Sequence, residues 1–200
     1  MKKVIGIWGD SITYGAGDTE KGGWVARLRF FLDKKGENFR INNRGICGDK
    51  TEDLLKRFNG ESKAIGPKII IFAIGTNDSQ YVRSRDNQRV PIKKFEKNLR
   101  ELVKSAKKFT NNIIFLGLVI CDDSKTMPIP WKQTKYYENA IIKEYDSKIN
   151  EICRENKLLF VPMFDLLSKK DLCDGLHPNP KGYEKMFQRV KTFLIKTKIV

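Results

Sequence analysis

Five short segments, most of them runs of β-branched and other apolar residues, alternate with longer stretches in which apolar residues recur every three or four positions. The segments lie at residues 4–8, 40–42, 68–74, 113–118 and 158–162. They lack the in–out polar alternation of a half-exposed strand, so strands covered on both faces are expected. Between them, Trp24, Leu28, Phe31 and Leu32, and then Phe95, Leu99, Leu102, Val103 and Ala106, share helical faces. Further helices are expected over residues 135–155 and 181–195. Strand–helix repetition with right-handed crossovers implies an α/β protein, a three-layer α/β/α sandwich around a five-stranded parallel sheet. No internal repeat, low-complexity tract or Pro/Gly/Ser-rich linker interrupts the pattern, and residues 1–200 read as a single domain.

In such sheets functional groups gather where strands end and helices begin. Three segments follow the first three strands: Gly9-Asp10-Ser11-Ile12-Thr13, Asn43 to Thr51 with Gly45 and Gly48, and Gly75-Thr76-Asn77-Asp78. A fourth, Asp174-Gly175-Leu176-His177-Pro178, precedes the last helix. Singly, each has a plainer reading as a helix cap, a turn or a tight loop. Together they supply the parts of a nucleophilic centre. A serine hydroxyl is a poor nucleophile near neutral pH and needs a base. His177 is the only histidine, so it is the base or there is none. Asp174, three residues before it across a turn, can hold the imidazole in the correct tautomer. Attack on an ester carbonyl creates an oxyanion, for which the donors available are the backbone N–H groups of Ser11 and Gly48 and the side-chain amide of Asn77.

These four blocks, in this order, resemble the GDSL family of esterases and lipases, also called SGNH hydrolases, and span residues 9–178. The resemblance implies a flavodoxin-like sandwich, Ser11 as nucleophile completed by Asp174 and His177, and an oxyanion hole of Ser11, Gly48 and Asn77. Ile12 stands where many members carry leucine, a change expected to pack behind the nucleophile. No Gly-x-Ser-x-Gly pentapeptide of the α/β-hydrolase type is present. Nor does the segment after the first strand carry the glycine pattern of a dinucleotide or P-loop site.

Composition narrows the remaining possibilities. Apolar residues at 40% and charged residues at 32% describe a globular chain, and no apolar run approaches the length of a bilayer span. The amino-terminal Met-Lys-Lys and five apolar residues look like a signal sequence only superficially. The run breaks at Gly9-Asp10, so a buried strand and a cytoplasmic protein are expected. Cys47, Cys121, Cys153 and Cys173 lack metal-ligand spacing, so free thiols, no metal and no cofactor are expected. The net charge of +15 comes mostly from lysine, 28 of 39 basic residues, spread along the chain. That pattern suits loose attraction to anionic surfaces better than dedicated nucleic-acid recognition.

The expected partner is therefore a small acyl ester, with short acyl chains favoured because no lid insertion is evident. Carbohydrate O-acetyl esters, lysophospholipids and thioesters are alternatives within the resemblance, and a basic binding module without chemistry lies outside it. Residues 79–91 and 121–132 are expected to frame the pocket. The first carries Arg83, Arg85 and Arg89, which face either an anionic substrate or water. The second carries Met127, Pro128, Pro130 and Trp131, which shape either an acyl site or the core.

Overall fold

A computed structural model describes residues 2–36 and 38–200. In chain order the elements are β1 (Lys3–Gly9), α1 (Ser11–Tyr14), α2 (Gly23–Lys34), β2 (Phe39–Gly45), α3 (Thr51–Ile65), β3 (Ile69–Ala73) and α4 (Thr76–Ser79). There follow β4 (Tyr81–Val82), α5 (Ile92–Ala106), β5 (Ile113–Leu116), α6 (Asp123–Thr126), β6 (Lys135–Tyr136), α7 (Asn139–Glu155), β7 (Leu159–Val161) and α8 (Pro180–Lys196). Five strands form one parallel sheet in the order β2-β1-β3-β5-β7.

Side-chain alternation divides the apolar residues between two cores. Trp8, Ile70, Phe72, Ile113 and Phe115 point to one face, where Leu54, Phe58, Leu99, Leu102, Tyr145 and Ile149 of α3, α5 and α7 cover them. Ile5, Ile7, Ile71, Ile114 and Leu116 point to the other, beneath Trp24, Leu28, Val190 and Leu194 of α2 and α8. Burial on both faces explains why the central strands read as unbroken apolar runs. Register aligns Trp8 with Phe72 and Phe72 with Phe115. Their rings form a row across the sheet, with centroids 6.3 Å and 4.9 Å apart. Gly6 has to be glycine here, because a Cβ would sit 2.4 Å from the Trp8 ring.

The sheet ends level on the side that matters. Gly9 lies opposite both Gly45 and Ala73, so the segments after β1, β2 and β3 emerge side by side. β1 has β2 on one flank and β3 on the other, which makes its carboxyl end the point where strand order reverses and a crevice opens.

Two departures from the sequence expectation are local. β2 is longer than residues 40–42, because Asn43 and Arg44 continue the ladder with β1 despite their polarity; it is an edge strand, where polar side chains meet water. The helix expected from residue 135 begins instead at Asn139. Lys135 and Tyr136 are extended and pair antiparallel with Val82 and Tyr81 in a two-stranded ribbon.

Candidate active site

Asp10 follows β1 and caps α1, its carboxylate accepting from the Ile12 N–H at 3.0 Å. Burial pushes its pKa up to about 6, although the N–H of Ile12 and the nearby His177 pull the other way. Ser11 is the first residue of α1, so its backbone N–H has no intrahelical acceptor. Its side chain, 8% exposed, faces the loop before α8. There Ser11 Oγ lies 2.9 Å from His177 Nε2, and His177 Nδ1 lies 2.6 Å from Asp174 Oδ2.

The loop is built to present that pair. The N–H groups of Leu176 and His177 donate to Asp174 Oδ1 at 2.9 and 2.8 Å. The Cys173 N–H closes the turn on the His177 carbonyl at 2.9 Å. Burial disfavours the Asp174 anion, but the His177 side chain and these N–H groups outweigh it and hold the carboxyl down at about 2. An ionised Asp174 can only accept, so Nδ1 carries a proton, and in that tautomer of the uncharged ring Nε2 is the acceptor for the serine hydroxyl.

Across the cleft, Asn77 is the second residue of α4. Its Nδ2 donates to the Asp49 carbonyl at 3.0 Å and its Oδ1 accepts from the Tyr137 hydroxyl at 2.6 Å. A carbonyl can only accept, so the amide orientation is settled and one N–H of Nδ2 is left over. Gly48 sits in the loop between β2 and α3 with φ of +84°, a left-handed conformation that disfavours any side chain. A Cβ there would meet nothing within 4 Å, so the backbone angle, not crowding, calls for glycine.

Buried groups beneath the cleft tie these loops together. Asp78 accepts from the Thr51 N–H and hydroxyl, and Asn98 donates to the same hydroxyl at 2.9 Å. Burial drives the Asp78 carboxyl up to about 7 despite these bonds. Arg57 holds Asp49 at 2.8 Å and the Arg44 carbonyl at 2.8 Å, bracing the segment that carries Gly48.

Ser11, Gly48, Asn77, Asp174 and His177, the five residues singled out from sequence, all line one open cleft of about 350 Å³. Its walls add Ile129, Trp131, Tyr137 and Leu176, with Gln80, Arg89, Lys132 and Lys135 among the polar lining. Trp131 stacks beside His177 at 6.2 Å between centroids and is 55% exposed. Of the three arginines expected near the pocket only Arg89 lines it; Arg83 is exposed and Arg85 pairs with Glu138. Sequence reasoning missed Tyr137 and the bracing roles of Thr51, Arg57, Asp78 and Asn98. Tyr137 carries no local signal, since its partner is 60 positions away. A larger groove of about 740 Å³ between α2 and α8 is lined by Phe30, Phe31 and Phe187 with several lysines, and holds none of these groups. Among the described residues no group of three or more His, Cys, Asp or Glu could hold a metal ion, and the four cysteines are free. None of the described helices is long and apolar enough to cross a membrane.

Comparison with known proteins identifies the family and the fold. The sequence pattern of the GDSL-like lipase/acylhydrolase family matches residues 7–185. An isoamyl acetate-hydrolyzing esterase 1 homolog from Bos taurus is 25% identical over 201 residues, covering 92% of this chain and 78% of that protein. The fold is shared with a lipase/acylhydrolase from Enterococcus faecalis (TM-score 0.78, 21% identity, 96% of this chain and 95% of that one). It is also shared with an acetylxylan esterase from Geobacillus stearothermophilus (TM-score 0.73, 23% identity, 96% and 92%). The family match over most of its length shows that this chain belongs to the GDSL-like lipase/acylhydrolase family and is a hydrolase of carboxylic esters.

Proposed function

We propose that the protein cleaves esters of short acyl chains through an acyl-enzyme on Ser11, with His177 and Asp174 as the other members of a triad. The observation that carries this reading is the continuous chain from Ser11 Oγ through His177 to Asp174, with links of 2.9 and 2.6 Å. The serine oxygen attacks the carbonyl carbon as its proton passes to His177 Nε2, and Asp174 stabilises the imidazolium. The carbonyl oxygen becomes an oxyanion, received by the N–H groups of Ser11 and Gly48 and the spare N–H of Asn77. Collapse expels the alcohol, which takes the proton from His177. Water then repeats the sequence on the acyl-serine and regenerates the hydroxyl. The cleft of about 350 Å³, with Ile129, Tyr137 and Leu176 in its wall, suits a small acyl group better than a long chain.

The test is turnover of p-nitrophenyl acetate and butyrate by the native chain and by Ser11→Ala. Native turnover is expected, with a loss of at least about four orders of magnitude in the variant. Equal rates in the two proteins contradict the assignment.

One observation favours a second reading, that of a carbohydrate O-acetylesterase. Trp131 presents an exposed ring beside His177, a surface on which a sugar can stack. Faster release of acetate from acetylated xylo-oligosaccharides than of acyl chains from lysophospholipids supports it, and the reverse order excludes it.

A further inference from the structure

The ribbon that misplaced the start of α7 also carries charge to the cleft. Tyr81 of β4 stacks flat on Tyr136 of β6, with centroids 5.0 Å apart and planes 5° from parallel. After β4 the chain turns back, Gln88 bridges to Tyr81, and the Arg89 N–H donates to the Gln80 carbonyl at 2.7 Å. Arg89 is thereby set beside Gln80, three residues beyond Asn77. On the other strand, the two-residue period puts Lys135 on the same side as Tyr137, whose hydroxyl holds Asn77. Arg89, Lys132 and Lys135 all line the cleft with Ser11.

None of the three forms an ion pair among the described residues. Among the described residues the Arg89 guanidinium makes one hydrogen bond, to the Gln80 side-chain oxygen at 3.4 Å. Several other cations held against the fold do have carboxylate partners: Arg27 pairs with Asp18 and Glu184, Arg57 with Asp49 and Glu61, and Lys50 with Asp53. Asp174, the acid in the cleft lining, is engaged by His177, and Glu138, the residue before α7, is engaged by Arg85. Burial pushes the Lys135 ammonium down, and Arg89 and Lys132 push it further, as like charges brought together do. Arg89 and Lys135 are half-buried, so water screens them incompletely. Converging cations without a counter-ion leave a site complementary to an anion.

We propose that this cleft selects esters that carry a negative charge, a carboxylate or phosphate, with Arg89 and Lys135 receiving the anion and Lys132 adding to the field at the mouth. The proposal rests on Ser11 being the ester-cleaving residue. The planar guanidinium of Arg89 can grip either anion with two parallel hydrogen bonds. The charge can lie on the acyl or on the alcohol part of the ester, and two matched pairs separate these cases. Monomethyl glutarate against methyl pentanoate tests the acyl side; 4-acetoxybenzoate against phenyl acetate tests the alcohol side.

The readout is the ratio of kcat/KM for the anionic ester over its neutral partner, measured by proton release. At low salt the native chain is expected to favour the anionic ester about tenfold or more in one pair. In 1 M NaCl, where screening acts over about 3 Å, the preference should shrink severalfold. Arg89→Gln combined with Lys135→Gln should bring the ratio close to that of uncharged selection, while Lys34→Gln on α2 leaves it unchanged. A native ratio at or below one in both pairs overturns the proposal while leaving the ester-hydrolase reading intact. So does a preference that survives both the double substitution and high salt. Hydrolysis of all four esters that does not depend on Ser11, or no hydrolysis at all, overturns the catalytic reading and this proposal with it.

Discussion

Asn77 is oriented from two sides, by the Asp49 carbonyl on its nitrogen and the Tyr137 hydroxyl on its oxygen. One N–H of Nδ2 is left over, and in the proposed mechanism that donor is aimed before any ester arrives. Asn77→Ala is therefore expected to lower kcat by about two to three orders of magnitude with little change in KM, the usual effect of losing one preorganised oxyanion donor. A rise in KM alone would make Asn77 a binding residue. Tyr137→Phe keeps the ring and removes only the orienting hydroxyl. It should reduce kcat by about tenfold, the equivalent of one modest hydrogen bond, and leave the KM for a neutral ester nearly unchanged. The place of the asparagine in the cleft was legible in sequence because it stands in a recognisable block after a strand. The tyrosine was not, because nothing near it in the chain announces a contact made across the fold.

At the scale of elements, periodicity revealed what is long and buried on both faces. The five strands of the main sheet and the helices α2, α5 and α8 follow directly from it. The β4–β6 ribbon did not, since two-residue strands are too short for any period to register. Tyr137 and Ile141 also fall at helical spacing, so the pattern continues smoothly into a segment that is extended. The Tyr137 N–H bond to the Thr126 carbonyl, at 3.0 Å, holds it there. Asp78 joins α3 to α4 and leaves a thermodynamic trace. Its carboxyl rises to about 7 and that of Asp10 to about 6, both by burial, from an ordinary value of 3.8. The folded chain thus binds these protons more tightly than the unfolded one. Their contribution to stability falls as pH rises from about 4 to about 7. Asp174, held at about 2, acts in the opposite sense, and its contribution is lost only as pH drops below about 4. Urea midpoints at pH 5 and pH 8 check this: the loss between them should be smaller in Asp78→Asn than in the native chain. An equal loss would mean that Asp78 does not titrate in that range.

At the scale of the molecule, the sheet is the frame that brings four distant segments to one cleft. Its aromatic row of Trp8, Phe72 and Phe115 is fully enclosed. Phe72→Ala should destabilise the fold by about 3–5 kcal/mol, through lost burial and the cavity left behind. Thermal unfolding should report this as a fall of roughly 10 °C. A shift of only a degree or two would show that the row is not a structural spine. The scattered positive charge says less about function than its local concentration at Arg89, Lys132 and Lys135, which composition alone does not reveal. The whole arrangement converges on one oxygen atom, and labelling with a fluorophosphonate, read by mass spectrometry of the digested protein, interrogates that atom. A single adduct on Ser11, lost in Ser11→Ala and strongly slowed in His177→Ala, is the expected result. An adduct on another residue, or unimpaired labelling without His177, would contradict the triad.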